Sequence, residues 1–398
     1  MNYKERMLKI VGGEMVDKIP FVPRLDLWFK ANKANGTLPP EYQDVTNHDE
    51  IARSEGWGIH KIILEYSDHG LDAVIDYLLG VYKIPSQSYF VHLPDNIERV
   101  VKYDGEELNI TYVTPVGNIS GKMVYSEKTI ATGATEPGVR EHLLKGPDDY
   151  KVAAYIFKNL IVEPEYEKFT EWSAKTGDDG FAVTYGFTAG SPMHHILKVL
   201  AGPGAFFMQF IKHESALVEL ADSMMVYFDK VLDVVKHTPG EVVVCGANFD
   251  SAITYPPFFD KYISPWLKKV VKVLHENNKL VLLHTDGENK ALMNQILETG
   301  ADIAEAICPS PMTKVSIGEF YQKWSGSMTL FGGIPSVLLC TKITSDSVFN
   351  DYLKELASAI KPGTRMILGV GDATPPDADF ERIRTIAKFA EENFRLPL

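Results

Sequence analysis

Cysteine is scarce in this sequence, and long apolar runs are missing. Only three cysteines (Cys245, Cys308 and Cys340) are spread over 398 residues, which is too few for a disulfide framework and favours a reducing compartment. No stretch approaches the roughly 20 apolar residues of a membrane-spanning helix. The charged residues 1–6 are not followed by the apolar run of a signal peptide. These absences predict a cytoplasmic protein.

Positive charge is also in short supply. The chain has 40 lysines and arginines against 53 aspartates and glutamates, which gives a formal net charge of −13. This balance argues against nucleic acid or an anionic membrane as a partner. The sequence also lacks the phosphate loop G-x-x-x-x-G-K-S/T, the metalloprotease motif H-E-x-x-H and the nucleophile elbow G-x-S-x-G. We therefore expect a globular protein that acts on a small molecule.

Strand patterns and helix patterns alternate along the second half of the chain. Two earlier segments, residues 19–28 and 59–67, add two further candidate strands. Alternating strands and helices form parallel sheets, and eight such units close into a barrel. The fold class predicted is therefore α/β, a (β/α)8 TIM barrel that spans residues 1–398 as a single domain. The six later strands are expected to begin at Phe181, Glu241, Lys279, Asp302, Met328 and Arg365.

Residues 88–131 have a different pattern. They consist of short runs of β-branched and aromatic residues, and Asp104-Gly105 between two of these runs is a strong hairpin signal. We predict an antiparallel β insert of about four strands within the barrel.

Polar residues follow the predicted strands at their carboxyl ends, which meet at one mouth of a barrel. His284 and Asp286 are two residues apart and should point to the same side. Either could instead have a structural role, His284 as a core histidine and Asp286 as a helix cap. Glu305 lies in an otherwise apolar strand, where burial raises a carboxyl pKa and an unpaired charge is costly. The other candidates at this rim are Arg24, Asp26, Tyr185, Asn248, Asp250, Cys308 and Asp372.

Several of these residues belong to longer motifs. The motifs include Asn248-Phe249-Asp250, His284-Thr285-Asp286-Gly287, Gly332-Gly333-Ile334-Pro335 and Gly371-Asp372. Together they resemble the uroporphyrinogen decarboxylase-like superfamily, whose branches are decarboxylases and cobamide-dependent methyltransferases. The decarboxylase branch carries an arginine-rich signature near its N-terminus, whereas residues 23–29 here contain one arginine, Arg24. The resemblance therefore favours the methyltransferase branch, with a uroporphyrinogen-type decarboxylase as the alternative.

The methyltransferase branch implies a metal site, with zinc as the expected ion. His284 matches the histidine of its H-x-C motif, while Asp286 and Asp372 stand where that branch has cysteines, and Cys308 is a substitute ligand. Oxygen and nitrogen ligands suit the polarisation of an oxygen atom better than the activation of a thiol. The chain is thus similar to the first methyltransferase of anaerobic O-demethylase systems.

That resemblance implies a substrate, a partner and residue roles. The methyl donor would be a small methylated compound, most simply a methoxylated aromatic, and the acceptor a corrinoid carried by a partner protein. A non-catalytic barrel that binds the corrinoid protein is a further alternative, and a homo-oligomer is compatible with both. Glu305 and Asp250 are the expected catalytic residues, with Glu305 as a metal-supported group or a protonated general acid. The expected substrate-binding residues are Arg24, Asp26, Trp28, Tyr185, Asn248 and Phe249.

Overall fold

The computed structural model describes residues 1–62, 70–126, 128–129, 134, 136–361 and 364–396. Within these ranges the strands are β1 (Tyr89–His92), β2 (Glu98–Asp104), β3 (Glu107–Thr114), β4 (Gly117–Val124), β5 (Gly138–Glu141), β6 (Ile161–Pro164), β7 (Val183–Phe187), β8 (Val242–Ala247), β9 (Leu280–His284), β10 (Ile303–Ile307), β11 (Thr329–Ile334) and β12 (Met366–Val370).

Six parallel strands, β7 to β12, form one sheet in sequence order. Every residue of β10, β11 and β12 is buried. Burial on both faces is typical of parallel strands covered by helices and explains their nearly continuous apolar sequences.

Two short extended segments complete the ring. Phe21 pairs in parallel with Leu368 of β12, and Lys61 pairs in parallel with Ala182, next to β7. The two segments meet where the Gly58 amide donates to the Phe21 carbonyl at 3.0 Å. Eight chain segments thus surround a common axis, and the predicted TIM barrel is confirmed.

The first two candidate strands are shorter than predicted. The segment predicted as residues 19–28 leaves the extended conformation early, because a helix begins at Asp26. Of the second candidate, residues 59–67, only the part up to residue 62 lies within the described residues.

The helices cover the outside of the barrel. In helix Ser264–Glu276, for example, Trp266, Val270 and Leu274 are spaced at helical intervals and are buried. The π-helical turns Ile196–Leu200 and Phe259–Ile263 continue two short helices. The α-helices are Tyr3–Val11, Asp26–Asn35, His48–Ser54, Leu71–Val74, Pro147–Asn159, Tyr166–Ala174, Pro192–His195, Pro203–Val235, Pro256–Phe258, Ser264–Glu276, Met293–Leu297, Ile317–Trp324, Asp346–Ala359 and Phe380–Asn393.

The antiparallel insert differs in extent from the prediction of residues 88–131. Strands β2, β3, β4 and β5 form a four-stranded antiparallel sheet whose last strand lies beyond residue 131. Strand β1 pairs instead with β6. Residues 130 and 131 fall outside the described residues. The hairpin at Asp104-Gly105 joins β2 to β3 as predicted, with Gly105 at φ +60°.

Buried polar contacts hold the insert against the preceding segment. The carboxylate of Asp76 accepts hydrogen bonds from Arg99 at 2.5 Å and from the Tyr112 hydroxyl at 2.9 Å. Among the described helices, none has both the length and the apolar composition needed to cross a bilayer.

Candidate functional site

Three strands of the parallel sheet are irregular close to their carboxyl ends. The register of β7, β8 and β10 shifts after Tyr185, Val244 and Glu305, respectively. Ala306 has a φ of +63° and Asn248 a φ of +62°, a left-handed conformation that is unusual for residues other than glycine. Bulges of this kind change the direction of side chains and are frequent beside active sites.

A cavity of about 370 Å³ opens at this end of the barrel. Its size is at the lower end of the range for small-molecule sites. Lys198 and Glu136 contribute to its wall. Six of the predicted site residues also line it: Arg24, Tyr185, Asn248, His284, Asp286 and Asp372.

Glu305 lies beneath this cavity, between two imidazole rings. Its Oε2 accepts a hydrogen bond from His284 Nδ1 at 2.5 Å, and its Oε1 lies 3.0 Å from His60 Nε2. The glutamate is only 1% exposed. Both carboxylate oxygens are thus satisfied by side chains from two other barrel segments, and we call this group the His60–Glu305–His284 cluster.

Within the cluster, the Glu305 carboxylate and the His284 imidazole shift each other's pKa values toward the charged forms. Burial alone would raise the pKa of Glu305, but His284 and His60 outweigh it and hold this pKa below its ordinary value. Burial alone would lower the pKa of His284, but the adjacent Glu305 carboxylate raises it above 6.5. The expectation of a protonated Glu305 is therefore wrong, because the sequence indicated burial but not the two imidazoles. These shifts favour a charged Glu305 carboxylate beside a protonated His284 imidazole.

A second ion-pair group surrounds Arg24. Its Nε donates to Asp26 Oδ1 at 3.0 Å, and its Nη1 donates to Asp372 Oδ1 at 2.5 Å. Burial opposes both charges, but the attraction raises the pKa of Arg24 and lowers that of Asp26 to about 2. Asp372 Oδ1 also lies 3.8 Å from His284 Nε2. The arginine group therefore reaches the side of the imidazole opposite Glu305.

Asn248 connects the remaining charges of the cavity. Its Oδ1 accepts from Lys198 Nζ at 2.7 Å, and its Nδ2 donates to Asp286 Oδ2 at 3.0 Å. Burial lowers the pKa of Lys198. Burial, followed by the nearby Asp372, raises the pKa of Asp286.

Comparison with known proteins identifies the family of this chain. A model of the family described as uroporphyrinogen decarboxylase (URO-D) matches residues 191–393, just over half of the chain. The chain belongs to the uroporphyrinogen decarboxylase family. A solved structure described as a methyltransferase from Methanosarcina mazei is similar, with a TM-score of 0.51 and 15% identity over 98% of this chain and 99% of that chain. At that identity the likeness establishes a common fold. No curated protein matches this sequence.

The part of the chain matched to the uroporphyrinogen decarboxylase family holds most of the site. It includes His284 and Glu305, together with Lys198, Asn248 and Asp372. The first two barrel segments and β7 lie before it and add the remaining polar side chains. The site is therefore built across the boundary of the matched region.

Two predicted aromatic contacts are wrong. Trp28 is buried, stacks on Phe380 at 5.0 Å between ring centroids and donates to the Ala378 carbonyl. Phe249 is fully buried against Phe259. Both rings pack in the core. An aromatic residue near a strand end can be buried in the core as readily as it can line a pocket, and the sequence does not distinguish the two.

Asp250 and Asp26 have local partners in this family member. The carboxylate of Asp250 accepts from the amides of Ala252 at 2.7 Å and Glu288 at 3.1 Å. It therefore fixes two loops and does not line the cavity. Asp26 is buried behind Arg24 and acts through that guanidinium. Neither carboxylate reaches the cavity, contrary to the roles predicted for them.

The predicted metal ligands are only partly brought together. His284, Asp286 and Asp372 line the same cavity. However, Asp372 already accepts from Arg24, and Asp286 from an amide. The imidazole has the carboxylate partner on its far nitrogen that metal-binding histidines usually have.

The fourth predicted ligand points elsewhere. Cys308 Sγ lies 3.4 Å from Met312 Sδ, and burial raises the pKa of its thiol to about 12. In the parts of the chain that the structure describes, no three His, Cys, Asp or Glu side chains are grouped so that they could hold an ion. The predicted four-ligand set thus does not fit a metal ion in this arrangement.

Three polar residues of the site were missed by the sequence analysis, namely His60, Glu136 and Lys198. His60 is a polar residue within a segment predicted as an apolar strand, and that contrast was a usable signal. Lys198 offered none, because a lysine in a helix is ordinary. The π-helical turn Ile196–Leu200 brings Lys198 to the cavity, and π-helical turns are frequent at functional sites.

Proposed function

We propose that this protein is a methyltransferase that moves a methyl group from a small methylated compound, favourably a methoxylated aromatic, to the corrinoid of a partner protein. Family membership and the fold shared with a protein described as a methyltransferase support this proposal. The corrinoid would supply Co(I) as the methyl acceptor. The protein's own residues bind the aromatic compound, orient it and stabilise the leaving oxygen.

The observation that carries the proposal is the orientation of His284. Its Nδ1 is held by the buried Glu305 carboxylate, and its Nε2 faces the cavity beside Asp372. An aryl methyl ether releases its methyl group readily only if the developing phenolate is neutralised, and a proton donor near its working pH does this well. The Glu305 carboxylate raises the pKa of His284 above its ordinary value, which favours the protonated imidazole. Glu305 stabilises the charged imidazole and is not itself the acid.

The charge of the cavity bears on the alternative decarboxylase activity. Uroporphyrinogen carries eight carboxylates, which require several unpaired cations. Arg24 faces the cavity but is already neutralised by Asp26 and Asp372. A cavity of about 370 Å³ also suits a ligand with a single ring better than a tetrapyrrole. Both properties favour the methyltransferase.

A divalent metal, with zinc as the expected ion, stays a prediction, and no step above depends on it. Elemental analysis of the purified wild type and of the His284→Ala variant measures the metal content. The expected result for His284→Ala is a folded protein that has lost nearly all turnover and any divalent ion. Unchanged metal content would remove His284 from the ligand set, while the loss of turnover would still be explained by its proton.

The decisive experiment is methyl transfer to a reduced corrinoid. The protein is incubated with free or protein-bound Co(I) corrinoid and a panel of methoxybenzenes, and the decay of Co(I) absorbance is followed. The proposal predicts substrate-dependent decay and release of the matching phenol. Absence of decay with every methoxylated compound would overturn it. Binding of the corrinoid protein without any methyl transfer would instead favour a non-catalytic barrel, and release of CO₂ from uroporphyrinogen would favour the decarboxylase.

A further inference from the structure

Among the described cationic side chains that line the cavity, Lys198 has the fewest charged partners. It is partly buried and lines the cavity. Its ammonium group donates a hydrogen bond to a neutral acceptor, Asn248 Oδ1, at 2.7 Å. Within the described residues, no salt bridge joins Lys198 to a carboxylate, whereas Arg24 has two. A buried ammonium group without a counter-ion is costly.

The acidic side chains around Lys198 are engaged elsewhere. Glu136 lines the same wall, and its Oε2 accepts from the Tyr77 hydroxyl at 2.8 Å. Asp286 accepts from Asn248 Nδ2. Both carboxylates attract the ammonium group from a distance, and burial nevertheless lowers its pKa. The local protein environment thus leaves the positive charge incompletely compensated.

The charged groups of the cavity therefore lie on two different parts of its wall. The imidazole of His284, with Asp372 and Arg24, forms one part of its wall. Lys198 forms another part, on the helical segment that follows β7. A ligand with a negative group would be drawn to Lys198 and kept away from Asp372, so its orientation would be fixed.

We infer that Lys198 binds a carboxylate carried by the substrate, so that the preferred substrates are methoxylated aromatic acids rather than neutral methoxybenzenes. This inference rests on the proposed function for the identity of the methyl donor. Lysine ammonium groups donate charge-assisted hydrogen bonds to carboxylates, which are stronger than neutral ones. Such a contact would supply the counter-ion that the protein itself does not provide, and it would position the ether oxygen for His284.

The test measures binding alone, without corrinoid. Calorimetric titration compares 4-methoxybenzoate with its neutral isostere 4-methoxybenzamide on the wild type, Lys198→Met and Lys198→Arg. We expect the wild type and Lys198→Arg to prefer the acid by about tenfold or more, and Lys198→Met to lose this preference. Lys212→Met is the matched control, because Lys212 is exposed on helix Pro203–Val235 and should leave the preference unchanged.

Each outcome decides one question. Equal affinity of the wild type for both probes, a preference that survives in Lys198→Met, or no binding of either probe overturns the inference. Thermal unfolding of each variant verifies that it is folded, and the Lys198→Arg result separates loss of charge from loss of packing. If the acid binds through Lys198 but no methyl group is transferred, this inference stands and the proposed function fails. If both compounds are demethylated equally well with and without Lys198, the proposed function stands and this inference fails.

Discussion

The two charged groups that meet at the cavity are built in opposite ways. In the His60–Glu305–His284 cluster, both oxygens of a fully buried carboxylate have imidazole partners at 3.0 Å or less. Lys198, by contrast, donates to the amide oxygen of Asn248. The carboxylate of the first group is fully paired without a ligand, whereas the ammonium group of Lys198 has no carboxylate partner among the described residues.

This difference indicates how the two groups contribute. A side chain that is fixed by several partners is already oriented when the substrate arrives, which is what a proton donor requires. A charge with an unused bonding capacity gains most when a ligand supplies the missing partner. We therefore assign the cluster to the reaction itself and Lys198 to recognition.

The largest effect is expected from breaking the centre of the cluster. Glu305→Gln removes the negative charge that raises the pKa of His284, so the proton should be lost at lower pH and the transfer rate should fall by about 10²-fold or more. Methyl transfer measured across pH should show its alkaline limb displaced to lower pH. The loss should be smaller for methoxybenzenes whose phenols are more acidic. Equal impairment across all substrates, with an unmoved pH profile, would make Glu305 purely structural.

A smaller effect is expected at the outer end of the cluster. His60 contacts Glu305 but does not reach the cavity lining, so it is a positioning residue. His60→Gln can keep one hydrogen bond to the carboxylate, and we expect a loss of about tenfold in rate with an unchanged KM. Kinetics of this variant beside His60→Leu measure the contribution. A loss as large as that of Glu305→Gln would mean that His60 is itself part of the proton path.

The cluster should also make stability depend on pH. The raised pKa of His284 contributes stability that is fully present below its ordinary value of 6.5 and is lost as pH rises through the folded-state pKa. The lowered pKa of Glu305 contributes stability that is present above 4.5 and is lost as pH falls toward the folded-state pKa. The melting temperature should therefore decline on the alkaline side in the wild type, and this decline should be reduced or absent in Glu305→Gln, because the carboxylate that raises the pKa of His284 is missing. Superimposable melting profiles of the two proteins would contradict the coupling.

The smallest effect is expected beside Glu305, at Ala306. Its left-handed φ of +63° costs roughly 1 kcal/mol for an L-residue. Ala306→Gly removes that cost but adds about as much unfolded-state entropy, so the net change in unfolding free energy should stay within about 0.5 kcal/mol. Ala306→Val, in a fully buried position, should destabilise by about 2 kcal/mol. Denaturant unfolding of both variants measures this, and equal stability of the two would argue against the bulge.

Much of the site followed from one topological rule. Because parallel strands share a carboxyl edge, residues after different strands, such as Arg24, Asn248, His284 and Asp372, were expected together, and they line one cavity. The rule needs only the order of strands, which alternating patterns in the sequence provide. It does not need any knowledge of packing.

What the rule could not supply was the partner of each side chain. Glu305 was expected to be metal-supported or protonated because its strand is apolar, but His284 and also His60, which is 245 positions away in sequence, lower its pKa. Trp28 packs on Phe380, which is remote in sequence, whereas Phe249 packs on the nearby Phe259, and in neither case did the sequence show that the ring is buried in the core. Lys198 depends on a π-helical turn, which has no sequence pattern of its own. Contacts across the barrel, rather than the barrel itself, were beyond the sequence.

The way the barrel closes has a consequence for its opening. Strands β7 to β12 are joined by registers of several residues each, whereas the described segments around Phe21 and Lys61 are tied by isolated bridges and the Gly58 hydrogen bond. In local fluctuations the ring should part along this seam first, and amide hydrogen exchange should be fastest there. Arg24 follows the first of these segments, and His60 lies within the second, directly before Lys61. Their contacts with Asp372 and Glu305 therefore stabilise the closed barrel, and the same contacts set the charge of the site.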